Sequence, residues 1–104
     1  MFFKRKKKFR VLLEGGNLLM EMQGIERLGY FTTRYVEAED GDEAAEHALD
    51  LVRNELNSTG SLLNEIDDPP VVSVSEITQL TSFKGIRVPG KGFTFFPEDE
   101  SELE

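Results

Sequence analysis

The chain has 104 residues, enough for one domain with a modest core, and a hydrophobic content of 38% supports folding. It contains no cysteine, which excludes disulfides, thiol catalysis and cysteine-based zinc sites. The net charge is −8, yet the first ten residues hold six of the twelve basic residues and no acidic one. The remainder carries six basic against twenty acidic residues, or −14, and should repel nucleic acid and anionic membranes.

Residues 1–8 are predicted to form a disordered basic arm, because a run of like charges is solvated rather than packed. The basic residues of this region are Lys4, Arg5, Lys6, Lys7, Lys8 and Arg10. Contact with nucleic acid or an anionic membrane is expected only through residues 1–10. The arm lacks the apolar stretch of a signal peptide, and no apolar run has membrane-spanning length. A cytoplasmic location is therefore the default expectation.

A single domain is predicted for residues 9–97, and its first part is expected to be a hairpin. Residues 9–14 favour a strand, residues 15–17 (Gly-Gly-Asn) favour a turn, and residues 18–23 favour a second strand. Residues 24–29 are then expected to connect this hairpin to the next strand.

Residues 30–38 are rich in aromatic and β-branched side chains, which predicts a strand. Alternation places Phe31, Thr33 and Tyr35 on one face. The opposite face is expected to hold Tyr30, Thr32, Arg34, Val36 and Ala38. Neither face is wholly polar, so both are expected to be partly covered.

The next segment is predicted to be the main helix of the fold. Asp40 is the expected N-cap, and Glu43 three residues later completes an acidic variant of the capping box. Gly60 is the expected stop, because glycine accepts the left-handed conformation found at helix ends. The predicted apolar stripe consists of Ala45, Ala48, Leu49, Val52 and Leu56.

The C-terminal half contains more extended structure than helix. Residues 58–70 are predicted to be a loop whose closing Pro-Pro pair introduces a strand over residues 71–80. Residues 81–97 are expected to form a glycine-rich loop with a short strand at residues 93–96. Residues 98–104 are predicted to be a disordered acidic tail.

This order of elements predicts an α+β fold. The expected architecture is a mainly antiparallel sheet of four to five strands with one main helix packed on one face, either ferredoxin-like or a related split β-α-β arrangement. Three segments carry a resemblance: residues 29–38 (GYFTTRYVEA), 43–48 (EAAEHA) and 85–93 (GIRVPGKGF). In these segments the chain resembles small uncharacterised bacterial proteins that form a family of unknown function. The resemblance covers most of residues 9–97 and implies no catalytic role.

No catalytic residue, cofactor or metal ligand is predicted, and the chain is not expected to be an enzyme. Residues 85–91 match the Gly-x-x-x-x-Gly-Lys part of a P-loop, but Gly92 occupies the position that needs Ser or Thr. A glycine-rich turn is the favoured interpretation. His47, the only histidine, lies mid-helix with no nucleophile near it in sequence, and no calcium-binding loop is present.

Three binding hypotheses remain. Arg34, Lys84, Arg87 and Lys91 could form an anion pocket, although ion pairing with the surplus acids is favoured. The preferred hypothesis is a non-enzymatic interaction domain that forms a homodimer. One helix covers one sheet face, and the phenylalanines of residues 93–96 would cover only part of the other. The alternative is an accessory protein that contacts anions or nucleic acid through its basic arm.

Overall fold

The computed structural model describes residues 6–21, 24–60, 62–84 and 92–98. The elements are β1 (Lys7–Glu21), β2 (Ile25–Ala38), α1 (Gly41–Ser58), β3 (Val71–Leu80) and β4 (Phe93–Pro97). The four strands form one sheet in the order β3-β1-β2-β4, and every neighbouring pair is antiparallel. The α+β prediction is confirmed. Strands β2 and β3 run in the same direction on either side of β1, and α1 connects them, so the topology is a split β-α-β unit extended by β4.

The N-terminal strand differs from the predicted hairpin. β1 continues through residues 15–17, and the register of its pairing with β2 shifts between Gly15 and Leu18. Asn17 has a φ of 56°. The predicted turn is therefore a β-bulge inside a continuous strand, and of its three residues only Asn17 adopts the positive φ. The prediction of a connection at residues 24–29 is also wrong, because β2 begins at Ile25.

The bulge anchors the loop between α1 and β3. The Asn17 amide Nδ2 donates to Asp68 Oδ1 at 2.8 Å and to the Pro69 carbonyl at 3.0 Å. Asn64 reaches the same point from the loop: its Nδ2 donates to the Asn17 carbonyl at 2.7 Å, and its Oδ1 accepts from the Leu19 amide at 3.0 Å. Together with the Leu63 amide, which donates to the Leu19 carbonyl at 2.7 Å, these bonds satisfy backbone polar groups of the loop and hold it against β1.

The strand begins earlier than the predicted domain boundary at residue 9. Lys7 lies opposite Ala38, and Lys8 lies opposite Glu37 with their charged atoms 3.7 Å apart. At the other end, Glu98 of the predicted tail donates its amide to the Arg27 carbonyl at 3.1 Å. Residues 1–5 of the arm and 99–104 of the tail lie outside the described residues.

The helix starts and stops where the sequence predicts. Asp40 is the N-cap, and its carboxylate accepts from the Glu43 amide at 2.8 Å. Glu43 accepts in return from the Glu39 amide at 3.1 Å, one residue before the usual position of a capping box. Thr59 caps the C-terminus, and Gly60 follows with a φ of 72°.

The core lies between α1 and the sheet face that we name the helix face. The buried residues of α1 are Ala44, Ala48, Val52 and Leu56. The predicted stripe is thus shifted, because Ala45 and Leu49 are only half-buried while Ala44 is wholly buried. Two alanines at the start of the buried stripe let the helix approach the sheet closely. In the described part of the chain, no helix combines the length and apolar character that a membrane crossing requires.

The two faces of β2 are occupied as predicted. The buried side chains on the helix face are Tyr30, Thr32, Arg34, Val36 and Ala38. The opposite side of the sheet, which we name the open face, carries Phe31 and Tyr35. Strand β4 corrects one expectation: Phe93 and Phe95 pack on Tyr30, with ring centroids 5.4 and 6.5 Å away. Only Phe96 covers Phe31, because β4 alternates like any strand.

Candidate functional site

Arg34 belongs to the core and holds three elements together. Its Nη2 lies 3.0 Å from Glu55 Oε2 of α1, and its guanidinium lies 5.1 Å from the centre of the Phe93 ring of β4. Burial lowers the pKa of the Arg34 guanidinium, and the carboxylate of Glu55 acts in the opposite direction. This arrangement is an ion pair between a buried guanidinium and a partly exposed carboxylate that joins sheet and helix, with a cation–π contact to β4.

The structure does not bring the other residues of the hypothetical anion pocket together with Arg34 among the residues that it describes. Lys84 is exposed, and the residue before it, Phe83, packs on Tyr35 of the open face at a ring distance of 6.0 Å. Arg34 points to the opposite side of the sheet. Arg87 and Lys91 lie outside the described residues, so the four-residue anion pocket stays a prediction.

His47 and the described basic residues at the start of the chain lie on the surface of the fold. Lys6 is exposed, Lys4 and Arg5 lie outside the described residues, and Arg10 is exposed on β1. His47 is exposed on α1. Among residues 6–21, 24–60, 62–84 and 92–98, no group of three or more His, Cys, Asp or Glu is placed to hold a metal ion. Polyanion contact through the arm stays a prediction.

The open face has an ordered pattern of charge. Leu12 lies opposite Thr33 at its centre. Two positions before Leu12, the exposed Arg10 lies opposite Tyr35, and two positions after it, the exposed Glu14 lies opposite Phe31. The face thus carries a cation beside an aromatic ring on one side of its centre and an anion beside an aromatic ring on the other.

Aromatic pairs occupy both ends of this face. Phe31 packs against Phe96 at a centroid distance of 5.3 Å, and the two side chains remain 43% and 38% exposed. Tyr35 packs edge-on against Phe83, over which the Lys8 ammonium lies at 5.8 Å from the ring centre. We name this set the open-face patch; it comprises Leu12, Phe31, Tyr35, Phe83 and Phe96. An exposed group of large apolar side chains on one face is typical of an interaction surface.

A cavity lies on the other side of the sheet, between the C-terminal half of α1 and the start of β3. It has a volume of about 440 Å³. Its lining residues are Tyr30, Arg53, Leu56, Asn57, Pro69, Pro70, Val71 and Val72. We name it the helix-end cavity.

Tyr30 forms the floor of the helix-end cavity. It is wholly buried, and its hydroxyl donates to the Val71 carbonyl at a long 3.4 Å. Burial raises the pKa of Tyr30 to about 12, and the charge of Arg53 opposes this rise. The neutral phenol is therefore favoured in the folded state.

This shift has a measurable consequence for stability. The neutral Tyr30 side chain adds to the free energy of unfolding. This added stability is fully present below pH 10, the ordinary pKa of tyrosine, and is lost as the pH rises towards 12. We expect wild-type protein to lose about 1–3 kcal/mol more unfolding free energy between pH 10 and pH 12 than Tyr30→Phe. Urea denaturation at several pH values measures the free energy of unfolding of both proteins. Parallel stability curves for the two proteins would contradict the assignment.

Comparison of the chain with models of protein families, with curated proteins and with solved structures found no match. This outcome agrees with a sequence resemblance that implies no activity.

The sequence predicted a partly uncovered sheet face with Phe31 and Tyr35, but sequence reasoning missed the charge row on β1 and the helix-end cavity. The alternation of Arg10, Leu12 and Glu14 was a local signal for the open face, since period-2 spacing puts them on one side of a strand. The helix-end cavity had no such signal, because its walls come from segments far apart in the chain.

Proposed function

We propose that the protein is a small non-enzymatic binding domain of the cytoplasm that forms a homodimer through its open face. The observation that carries the proposal is the row Arg10, Leu12 and Glu14, with an aromatic residue opposite each charge. A surface that meets its own copy about a two-fold axis must be complementary to itself. The lack of cysteine suits a reducing compartment.

A two-fold axis through the Leu12–Thr33 pair satisfies this requirement. With the axis perpendicular to the strands and between two facing sheets, β1 of one copy lies antiparallel over β1 of the other. Arg10 of each copy then faces Glu14 of its partner, and Tyr35 faces Phe31. Two opposite-charge pairs and two aromatic pairs form at once, around an apolar centre made by the two Leu12 side chains.

The dimensions of the face indicate a weak dimer. Nine residues of β1 from Lys8 to Gly16 and four strands span roughly 30 by 19 Å at standard strand spacings. That area is roughly 570 Å² for each copy, near the lower limit of specific interfaces. Glu76 lies opposite Leu12 on β3 and would approach Glu76 of the partner, which opposes association. We therefore expect a dissociation constant of about 10–100 μM.

The test compares two serine substitutions of exposed apolar residues. Phe31 is 43% exposed on the open face, and Leu51 is 47% exposed on α1. Wild type and Leu51→Ser should rise from 11.8 kDa towards twice that mass between 1 and 300 μM in sedimentation equilibrium. Phe31→Ser should stay much closer to 11.8 kDa than wild type at the upper end of this range, since removal of an interface aromatic commonly costs tenfold or more in affinity.

Charge exchange tests the orientation of the two copies. Arg10→Glu and Glu14→Arg should each weaken the dimer, because each creates two like-charge contacts across the axis. The double variant Arg10→Glu/Glu14→Arg should restore association. A wild-type mass of 11.8 kDa at 300 μM would overturn the proposal. Dimerisation unaffected by Phe31→Ser would reject the open face as the interface.

A further inference from the structure

The helix-end cavity has the composition of a small-molecule site. Its volume of about 440 Å³ lies within the range of ligand pockets, which are mostly apolar with a few placed polar groups. The apolar walls come from Leu56 of α1, from Pro69 and Pro70, and from Val72 of β3. These segments meet where the Asn17 side chain holds the Pro69 carbonyl, so the cavity wall is fixed by a hydrogen bond to the sheet.

The polar groups of the cavity lie along one edge. Arg53 and Asn57 are four residues apart on α1, so their side chains are neighbours on the helix surface. Both are exposed, whereas Leu56, the residue before Asn57, is buried and also lines the cavity. A ligand that fills the cavity therefore meets an apolar interior and one cationic, hydrogen-bonding edge.

Arg53 differs from the arginines that stabilise the fold. Arg27 pairs with Asp68 at 3.6 Å and Arg34 with Glu55 at 3.0 Å. Within the described ranges, Arg53 has no carboxylate within the 4.0 Å of an ion pair, although the chain has twenty acidic residues. The charge of Arg53 nevertheless acts on Tyr30 at the cavity floor. It lowers the pKa of the Tyr30 hydroxyl, whereas burial raises it.

We propose that the helix-end cavity binds a small organic carboxylate with an apolar tail. The tail occupies the space between Leu56, Pro70 and Val72, and the carboxylate lies at the edge, where Arg53 and Asn57 both donate hydrogen bonds. An amine in the same position would face the Arg53 guanidinium and be repelled. This proposal is independent of dimerisation, because the cavity and the open face lie on opposite sides of the sheet.

The experiment uses three probes that each contain a straight chain of eight carbon atoms. Sodium octanoate, 1-octanol and octylammonium chloride are titrated separately into the full chain, and backbone amide shifts are followed by two-dimensional NMR. Octanoate should shift the amides of Leu56, Val71 and Val72 with a dissociation constant of about 0.1–1 mM, as expected for about ten heavy atoms. Octanol should bind several-fold more weakly, and octylammonium should leave these amides unchanged at 5 mM.

Three variants separate a specific cation from general charge. Arg53→Met should weaken octanoate binding about fivefold, the upper range for an exposed ion pair, and Arg53→Lys should retain most of it. Lys7→Met removes the same unit of charge roughly 26 Å along β1 from Gly15 and should leave binding unchanged. Octanoate shifts that are absent at 5 mM, that map to the open face, or that are matched by octylammonium would each overturn the proposal. Equal binding to Arg53→Met and wild type would do so as well.

Discussion

Gly15→Ala is expected to lower the free energy of unfolding by about 3 kcal/mol or more, the largest effect of any single added methyl group among the described glycines. A Cβ at this position would lie closer than 3.0 Å both to the Tyr30 ring carbon Cζ and to the Val71 carbonyl oxygen. Tyr30 is wholly buried, and Val71 is held in the β3 backbone, so neither can move away without disturbing the core.

The control for this substitution is Gly41→Ala. A Cβ at Gly41 would have no atom within 4 Å, and the residue begins α1. Alanine is the better helix former, so the unfolding free energy should change by less than about 0.5 kcal/mol or rise slightly. Urea denaturation of both variants provides the comparison. A Gly15→Ala protein within 0.5 kcal/mol of wild type would show that Tyr30 does not cross β1 at Gly15.

A second large effect is expected from Leu13→Ala, at about 3–4 kcal/mol. Leu13 is wholly buried on the helix face, whereas its neighbour Leu12 is half-buried on the open face. The same substitution at Leu12 should cost only about 1 kcal/mol when measured at low micromolar concentration, where the proposed dimer is dissociated. The denaturation midpoints of Leu13→Ala and Leu12→Ala test which residues of β1 point to the helix face and which to the open face. Equal losses, or a larger loss at Leu12, would mean that the strand faces are assigned the wrong way round.

Much of the fold was predictable where the determining signals are local. The helix is bounded by Asp40, whose side chain caps it, and by Gly60, whose positive φ follows its end. Strand β3 begins directly after the two prolines, as predicted. In each case, a residue's own backbone preference or a contact within four positions determines the boundary, so a single sequence suffices.

The bulge at residues 15–17 could not be predicted, because its conformation depends on pairing between strands. Glycine and asparagine permit positive φ in a turn and in a β-bulge alike, so their identity does not choose between the two. The choice is made by distant pairing, because β1 stays beside β2 until Leu18 meets Leu28 on the helix face. Backbone propensity at residues 15–17 contains no information about that partner.

The two candidate sites also depend on contacts between distant segments, which local sequence patterns do not predict. The charge row of β1 is visible in the sequence, but its exposure depends on which face α1 covers. The helix covers the face of Tyr30 and Val36, which leaves Phe31 and Tyr35 on the other side. The helix-end cavity depends on three separate segments meeting at one end of the sheet, and no residue of any one segment indicates it.

The strand order β3-β1-β2-β4 also has a consequence for the protein as it leaves the ribosome. The two central strands are synthesised first, and both edge strands come from the second half of the chain. Once residues 7–38 have emerged, a two-stranded ribbon exists whose outer hydrogen-bonding groups are open on both sides. At roughly 5–20 residues per second, several seconds pass before β3 and then β4 can close those edges. During that interval we expect the charges of the first strand to discourage pairing with other chains; they are Lys7, Lys8, Arg10, Glu14 and Glu21.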